Sequence, residues 1–182
     1  MSITKQRQQT AYQALAEKFG YTSPMQGPRV SKVIVSSGVG KKRDKKQLEL
    51  IEDRLAKITG QKPATRGAKV SIAAFKVREG DTVGLQITLR GARMFDFLDK
   101  LIHIALPRTR DFRGLSPKAI DDMGNLTIGI KENTIFPETS DEDLKDVFGF
   151  AVTIVTTAKS KSEAEAFFRH LGLPLRTGDI KQ

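Results

Sequence analysis

No cysteine occurs in this chain, which excludes disulfides and thiolate metal sites and gives no reason to expect an oxidising compartment. Long apolar runs are missing too. Met1-Ser2-Ile3-Thr4-Lys5 leads into a polar, basic stretch without a signal core, and no later segment approaches the ~20 residues that span a bilayer. The expectation is a soluble, uncleaved, cytoplasmic protein with no membrane partner. Histidine is scarce: His103 and His170 are the only two, each on an amphipathic helical segment with no carboxylate or nucleophile at a useful spacing, so both are read as structural. Acids are missing from one long stretch, since Arg54 to Arg78 holds seven cations and no Asp or Glu.

That gap locates the charge. The net charge is +10, but residues 1 to 28 carry 3 Lys/Arg against 1 acid, residues 29 to 118 carry 21 against 9, and residues 119 to 182 carry 7 against 11. Lysines that only kept a surface soluble would be interspersed with acids. A cationic middle flanked by a near-neutral start and an acidic end suits a polyanionic partner instead. With 182 residues, a single domain is expected, long enough to bury roughly 70% of the surface of its unfolded form.

Periodicity predicts the elements. Tyr12, Leu15 and Phe19 have helical spacing and Gly20 follows as a stop. After Pro28 comes a strand in which Val33 and Val35 alternate with Lys32, Ile34 and Ser36, closed by Gly38-Val39-Gly40. Asp44 can cap a helix with Leu48, Ile51, Leu55 and Ile58 as its apolar stripe, Arg54 and Lys57 on its wet side, and Gly60 as its stop. Two extended segments then run to Val77 and from Thr82 to Arg90, joined by a turn at Glu79-Gly80-Asp81. Leu85, Ile87 and Leu89 point one way in the second of them, Gln86, Thr88 and Arg90 the other. A helix with Phe95, Leu98, Ile102 and Ala105 inside ends at Pro107, and an arginine-rich loop covers 108 to 118. Leu126, Ile128 and Ile130 alternate as a strand, an acidic connection runs from Glu138 to Asp146, and a last strand covers 148 to 157. Ser160 and Glu163 have capping-box spacing before a helix carrying Phe167, Phe168 and Leu171. The pattern predicts a two-layer α+β domain, a mostly antiparallel sheet with helices on one face and a polar face on the other.

Catalytic motifs fail on spacing. Gly38-Val39-Gly40-Lys41-Lys42 invites a phosphate-loop reading, but a Walker loop needs glycine where Val35 stands and Ser or Thr where Lys42 stands, and a dinucleotide fingerprint needs glycine at Arg43. Asp121-Asp122 and Asp141-Glu142-Asp143 lack the alternating ligands and central glycine of a calcium loop. Phe148-Gly149-Phe150-Ala151-Val152 partly matches the strand on which RNA-recognition domains stack bases. Acidic Asp146 and Val147 precede it and Ile154 takes the third aromatic place, so buried aromatics are the better reading. No enzyme and no cofactor are expected.

Several blocks occur together in order: Pro28-Arg29-Val30, Gly38-Val39-Gly40, Thr59-Gly60-Gln61-Lys62-Pro63, Lys69 through Phe75, Thr88-Leu89-Arg90-Gly91, Pro107-Arg108, Arg110-Asp111-Phe112-Arg113-Gly114-Leu115-Ser116 and Phe136-Pro137-Glu138. Over nearly the whole chain they closely resemble the bacterial large-subunit ribosomal protein five family. The resemblance implies a protein of the central protuberance that binds 5S rRNA and attaches it to large-subunit rRNA beside other proteins there. It implies an rRNA face at Lys32, Ser36, Gln61, Thr65, Lys69, Ser71, Thr88 and Arg90, with Arg29, Lys62 and Arg66 counted alongside. It further implies contact with peptidyl-site tRNA through a hairpin tip (Phe75, Lys76, Val77, Arg78, Glu79, Gly80, Asp81, Thr82). A bridge to protein thirteen of the small-subunit head is expected from Arg108, Arg110, Asp111, Phe112 and Arg113. The family usually has asparagine followed by an apolar residue where this chain has Ser36-Ser37, which puts one RNA contact in question. The competing classes are a free mRNA-binding regulator of the RNA-recognition type, which needs affinity for unpaired sequence, and a nucleotide-dependent enzyme, which needs the absent phosphate loop.

Overall fold

Strand alternation sets the architecture in the computed structural model, which describes residues 2–40, 45–139 and 147–176. β1 (Val30–Gly38) buries Val33, Val35 and Ser37 and leaves Ile34 and Ser36 half-exposed. β3 (Thr82–Leu89) buries Leu85, Ile87 and Leu89, while β4 (Leu126–Ile130) and β5 (Phe150–Thr156) each bury every second residue. β2 (Ala64–Gly67) has no buried residue and pairs antiparallel with β3, Thr65 opposite Leu85. The strands form a five-stranded antiparallel sheet in the order β2-β3-β1-β5-β4, and with four helices among the described residues the fold is α+β, as the pattern predicts.

The chain divides into two compact units, and β1, β4 and β5 each contribute residues to both. The first unit comprises Met1–Val33, Arg90–Ile128 and Thr153–Gln182. It holds α1 (Ile3–Phe19), α3 (Gly91–Lys100) and α4 (Lys161–Leu171), with α1 packed on both of the others. α1 buries only Thr4, Ala11 and Leu15. With so little apolar surface it is held largely by polar ties: the Arg7 guanidinium donates to the Leu171 carbonyl at 2.9 Å, and His170 Nε2 donates to the Arg7 carbonyl at 2.8 Å. Gly20 ends the helix at φ 66°, a conformation that costs residues with a Cβ. Phe95, Leu98, Ile102 and Ala105 are buried as expected, but α3 passes into a π-helical turn at Leu101–Ala105, closed by the Leu106 N–H on the Leu101 carbonyl at 2.9 Å. His103 is exposed on that turn, whereas His170 ties α4 to α1 through the Arg7 carbonyl.

The Ser160 hydroxyl accepts the Glu163 N–H at 3.3 Å, half of the predicted capping box. The other half is rewired. Glu163, 5% exposed, accepts from the Lys159 N–H at 2.7 Å and from the Tyr21 hydroxyl instead of reaching the Ser160 N–H. Burial, then the bond to Glu163 and its charge, holds the Tyr21 hydroxyl far above its ordinary pKa.

The second unit comprises Ile34–Leu89 and Gly129–Val152. α2 (Lys45–Thr59) packs on β3 and on the turn Pro137–Thr139. Ile51, Leu55 and Ile58 are fully buried, each contributing about 1.5–3 kcal/mol over an exposed position. Lys57 is exposed and pairs with Asp53 at 2.8 Å, and Arg54, one turn earlier, is half-exposed. Phe148 and Phe150 are both 4% exposed, and Phe136 packs on Phe150 with ring centroids 5.9 Å apart. The cap at Asp44, the glycine-loop cations Lys41 to Arg43 and residues 140 to 146 of the acidic connection lie outside the described residues.

The hairpin differs from expectation. β2 ends at Gly67, and residues 68 to 81 form an excursion in which Ile72 and Val77 pair again as an isolated bridge. The Glu79-Gly80-Asp81 turn therefore lies at its base, where the Gly80 N–H meets the Ala68 carbonyl at 3.0 Å and the Ala68 N–H meets the Asp81 carbonyl at 2.9 Å. Its far end is the turn Ala73–Phe75 followed by Lys76 at φ 49°. Alternation could not mark this boundary, because no residue from Ala64 to Phe75 except Ala68 is even half-buried.

Candidate nucleic-acid interface

The pleat of β1 and β3 turns one set of side chains inward and leaves the other available. In the second unit the available set is Ile34 and Ser36 on β1 and Gln86 and Thr88 on β3, all half-exposed, so the polar members are Ser36, Gln86 and Thr88. β2 adds Arg66, exposed and paired with Gly84, whereas Thr65, also exposed, pairs with the inward-facing Leu85 and so stands on the other side of the strand, off this face. The Arg66 Nε donates to the Gln86 Oε1 at 2.7 Å. That bond fixes the guanidinium at the sheet surface with further donors left on its fork. Gln86 lies on the face that alternation predicts to be polar, yet it is absent from the RNA residues that the resemblance implies; the phase of β3, between Gly84 and Thr88, is the signal for it.

Gln61 is half-exposed, and its side-chain amide donates to the Thr88 carbonyl at 3.4 Å. Two residues that the resemblance joins as RNA contacts are thus joined in the fold. Lys62 is exposed and pairs with Glu52 at 3.2 Å, so its charge is partly answered within the protein. Lys69 and Ser71 are exposed at the start of the excursion, and the Ser71 hydroxyl accepts the Glu79 N–H at 2.9 Å. Ser37 points inward: it is 4% exposed and donates to the Gly149 carbonyl at 2.8 Å. The Ser36-Ser37 pair therefore splits into one outward hydroxyl and one buried, satisfied hydroxyl.

In the excursion Phe75, Lys76, Arg78, Glu79, Gly80 and Asp81 are exposed and Val77 is half-buried, as is Thr82, the first residue of β3. Phe75 is 71% exposed and Val70 65%, an apolar crest among cations. Asp81 turns back on its own loop, its carboxylate accepting the Arg78 N–H at 2.8 Å.

The first unit holds the remaining expected residues. Arg29 is exposed just before β1, Arg90 is exposed between β3 and α3, and Lys32 is half-exposed on β1. In the arginine loop Arg108, Arg110, Asp111 and Arg113 are exposed and Phe112 is half-buried. The loop is tied down by a residue that local sequence pattern does not single out. Arg176 Nε donates to the Arg113 and Gly114 carbonyls, each at 3.1 Å, and its N–H meets the Leu115 carbonyl at 2.9 Å.

Chemically, these surfaces offer hydroxyls, amides and cations without a nucleophile and base arranged for catalysis. Among the described residues no group of His, Cys, Asp or Glu can hold a metal, and no helix is long and apolar enough to cross a membrane. The buried Phe148 and Phe150 remove the base-stacking strand that a regulator of the RNA-recognition type needs.

Known proteins show the family. The family described as "Ribosomal protein L5" matches residues 23–78, and the model of the same ribosomal family's C-terminus matches residues 82–175. A protein of Heliobacterium modesticaldum named "Large ribosomal subunit protein uL5" is 47% identical, covering 97% of this chain and 99% of its own length. Proteins of the same name from Desulfatibacillum aliphaticivorans and Rubrobacter xylanophilus are 51% and 49% identical, covering 89% and 90% of this chain and 91% of their own lengths. The chain accordingly belongs to the ribosomal protein L5 family, structural and non-enzymatic components of the large ribosomal subunit.

Proposed function

We propose that this chain binds 5S rRNA and attaches it to the large subunit in the central protuberance, touches peptidyl-site tRNA through Phe75 to Thr82, and bridges to the small-subunit head through its arginine loop. The carrying observation is the row of Ser36, Gln86, Thr88 and Arg66 on an open sheet face whose flanking sequence, Arg54 to Arg78, has no acid. Such a face suits structured RNA, gripped through phosphates, 2′-hydroxyls and shape, more than a single strand that must be stacked. Family membership fixes the compartment: the protein works in the ribosome, in the cytoplasm.

The test is equilibrium binding of the purified chain to 5S rRNA against an unrelated folded RNA of equal length. With about six cations on phosphates, log affinity falls with log salt at a slope of about −4 to −5, from ~0.7–0.9 counterions released per contact. One-to-one binding with that slope and a clear preference for 5S rRNA is the expected result. A flat salt response, or equal affinity for both RNAs, overturns the reading.

A further inference from the structure

The first unit holds a groove of about 480 Å³ whose lining includes none of Ser36, Arg66, Gln86 or Thr88. One wall is a single face of α1, where Gln9, Tyr12 and Gln13 line it; the opposite wall carries Pro24, Met25 and Arg29. We propose that this groove receives one unstacked rRNA nucleotide, its base edge read by Gln9 and Gln13, its face resting on Met25 and its phosphate met by Arg29. The inference rests on the rRNA-binding reading above but uses residues outside the surfaces assigned there, Arg29 excepted.

Both walls are built in place. Gln8 on α1 accepts the Val30 N–H through its side-chain oxygen at 2.9 Å, which fixes the helix against the start of β1. Gly27 lets the walls approach, since a Cβ there would lie 3.3 Å from the Tyr12 Cβ. The Met25 turn is held by the Thr22 N–H on the Gln26 Oε1 at 3.0 Å, and the Arg29 N–H is bound to the Thr157 hydroxyl at 3.0 Å. A fixed wall that leaves a methionine 87% exposed presents an apolar, polarizable surface that folding itself does not use.

The chemistry favours a nucleotide. Pockets of roughly 300–1,000 Å³ hold small ligands, so the groove is too small for a duplex and adequate for one nucleotide. The exposed amides of Gln9 and Gln13 each offer a donor and an acceptor, the pairing a base edge presents. No carboxylate lines the groove and one guanidinium does, which suits a phosphodiester and would leave a basic peptide tail without a partner.

The experiment replaces Met25 by the photoreactive p-benzoylphenylalanine in the full chain, assembled into large subunits in cells and irradiated. A second protein carries the same side chain in place of Arg66 on the sheet face. Crosslinks to RNA are mapped by reverse transcription and crosslinks to protein by mass spectrometry. The expected result is one short rRNA stretch attached at position 25, with its yield reduced about tenfold by Gln9→Ala and Gln13→Ala together, the loss of two net hydrogen bonds. A position-25 crosslink to a neighbouring protein, no crosslink there, or an rRNA crosslink indifferent to the two glutamines overturns the groove proposal while position 66 still reports rRNA. Silence toward rRNA at both positions overturns the broader rRNA-binding reading with it.

Discussion

Asp99 of α3 caps the start of α1 through Thr4: its carboxylate accepts the Thr4 main-chain N–H at 2.8 Å and the Thr4 hydroxyl, and also the Ile3 N–H at 3.0 Å. The first N–H groups of a helix have no partner inside it, so a carboxylate from another element does the work of a capping residue. Burial pushes the Asp99 carboxyl upward in pKa, but bonds from the Ser2 and Thr4 hydroxyls and the Thr4 and Ile3 N–H groups together outweigh it and hold the group below its usual range.

Asp99→Ala is expected to destabilise the protein by about 1–2 kcal/mol, the usual cost of a lost helix cap. Because the folded carboxyl has the lower pKa, its contribution is present above the ordinary unfolded value near ~4 and is lost as pH falls through the folded value. Denaturant melts of wild type and Asp99→Ala, compared at pH 7 and at progressively lower pH, should converge below about pH 4. A gap that persists unchanged in acid would contradict the carboxylate's role.

The two serines make a second pair of expectations. Ser36→Asn, which restores the family's usual residue on the outward face, should keep or tighten 5S rRNA binding by about 1 kcal/mol if one net hydrogen bond is gained. Ser37→Val acts on the other side of the strand, where it removes the bond to the Gly149 carbonyl and adds apolar volume to a buried site. It should change stability by about 1 kcal/mol in either direction and leave RNA affinity alone. Filter binding and thermal melts of both variants decide this, and a loss of RNA affinity in folded Ser37→Val would move the contact to the inner face.

Sequence pattern was most informative where one face of an element is buried. The alternation of Leu85, Ile87 and Leu89 or of Leu126, Ile128 and Ile130 survives in the structure because a slip of one residue would expose the whole set. It was least informative where no such penalty exists. β2 has no buried residue, so nothing in its sequence marked Gly67 as the end of pairing. α1 runs from Ile3, well before its apolar positions: the Ser2 hydroxyl caps it locally by accepting the Lys5 N–H at 3.3 Å, but its further anchors, Asp99, Leu171 and His170, are partners far away in the chain. For the same reason the Tyr21 partner of Glu163 and the Arg176 tie on the arginine loop were invisible locally. The division of three strands between two units also leaves no local mark, since each strand is one continuous run.

Gln61 and Thr88 should separate when each is truncated. Gln61→Ala removes a side chain that bonds the Thr88 main-chain carbonyl, so about 0.5–1.5 kcal/mol of stability should go together with RNA affinity. Thr88→Ala keeps that carbonyl and removes only the hydroxyl on the open face. Its stability should stay near wild type while 5S rRNA binding weakens by about 1–3 kcal/mol, as for a buried polar contact left unmade. Isothermal titration beside thermal melts would show it, and unchanged affinity in both variants would place the RNA contact elsewhere.

The excursion allows assembly and tRNA handling to be tested apart. Ile72 and Val77 exchange both main-chain bonds, the Ile72 N–H to the Val77 carbonyl at 2.9 Å and the Val77 N–H to the Ile72 carbonyl at 3.2 Å. They are therefore the closing pair of a four-residue loop, Ala73 through Lys76, in which Lys76 takes a left-handed conformation. Two-residue Asn-Gly turns close such pairs without splaying them, so replacing Ala73 through Lys76 by Asn-Gly should keep the pairing below intact. The edit removes Phe75 and Lys76, the exposed aromatic and cation at the far end, and leaves Arg66, Gln86 and Thr88 untouched. Affinity for 5S rRNA and incorporation into large subunits should stay near normal while tRNA leaves the peptidyl site faster. The comparison is filter-binding dissociation of tRNA from ribosomes carrying each form. Equal dissociation rates would remove the tip from tRNA handling, and a variant that folds but no longer binds 5S rRNA would show that the excursion belongs to the rRNA interface instead.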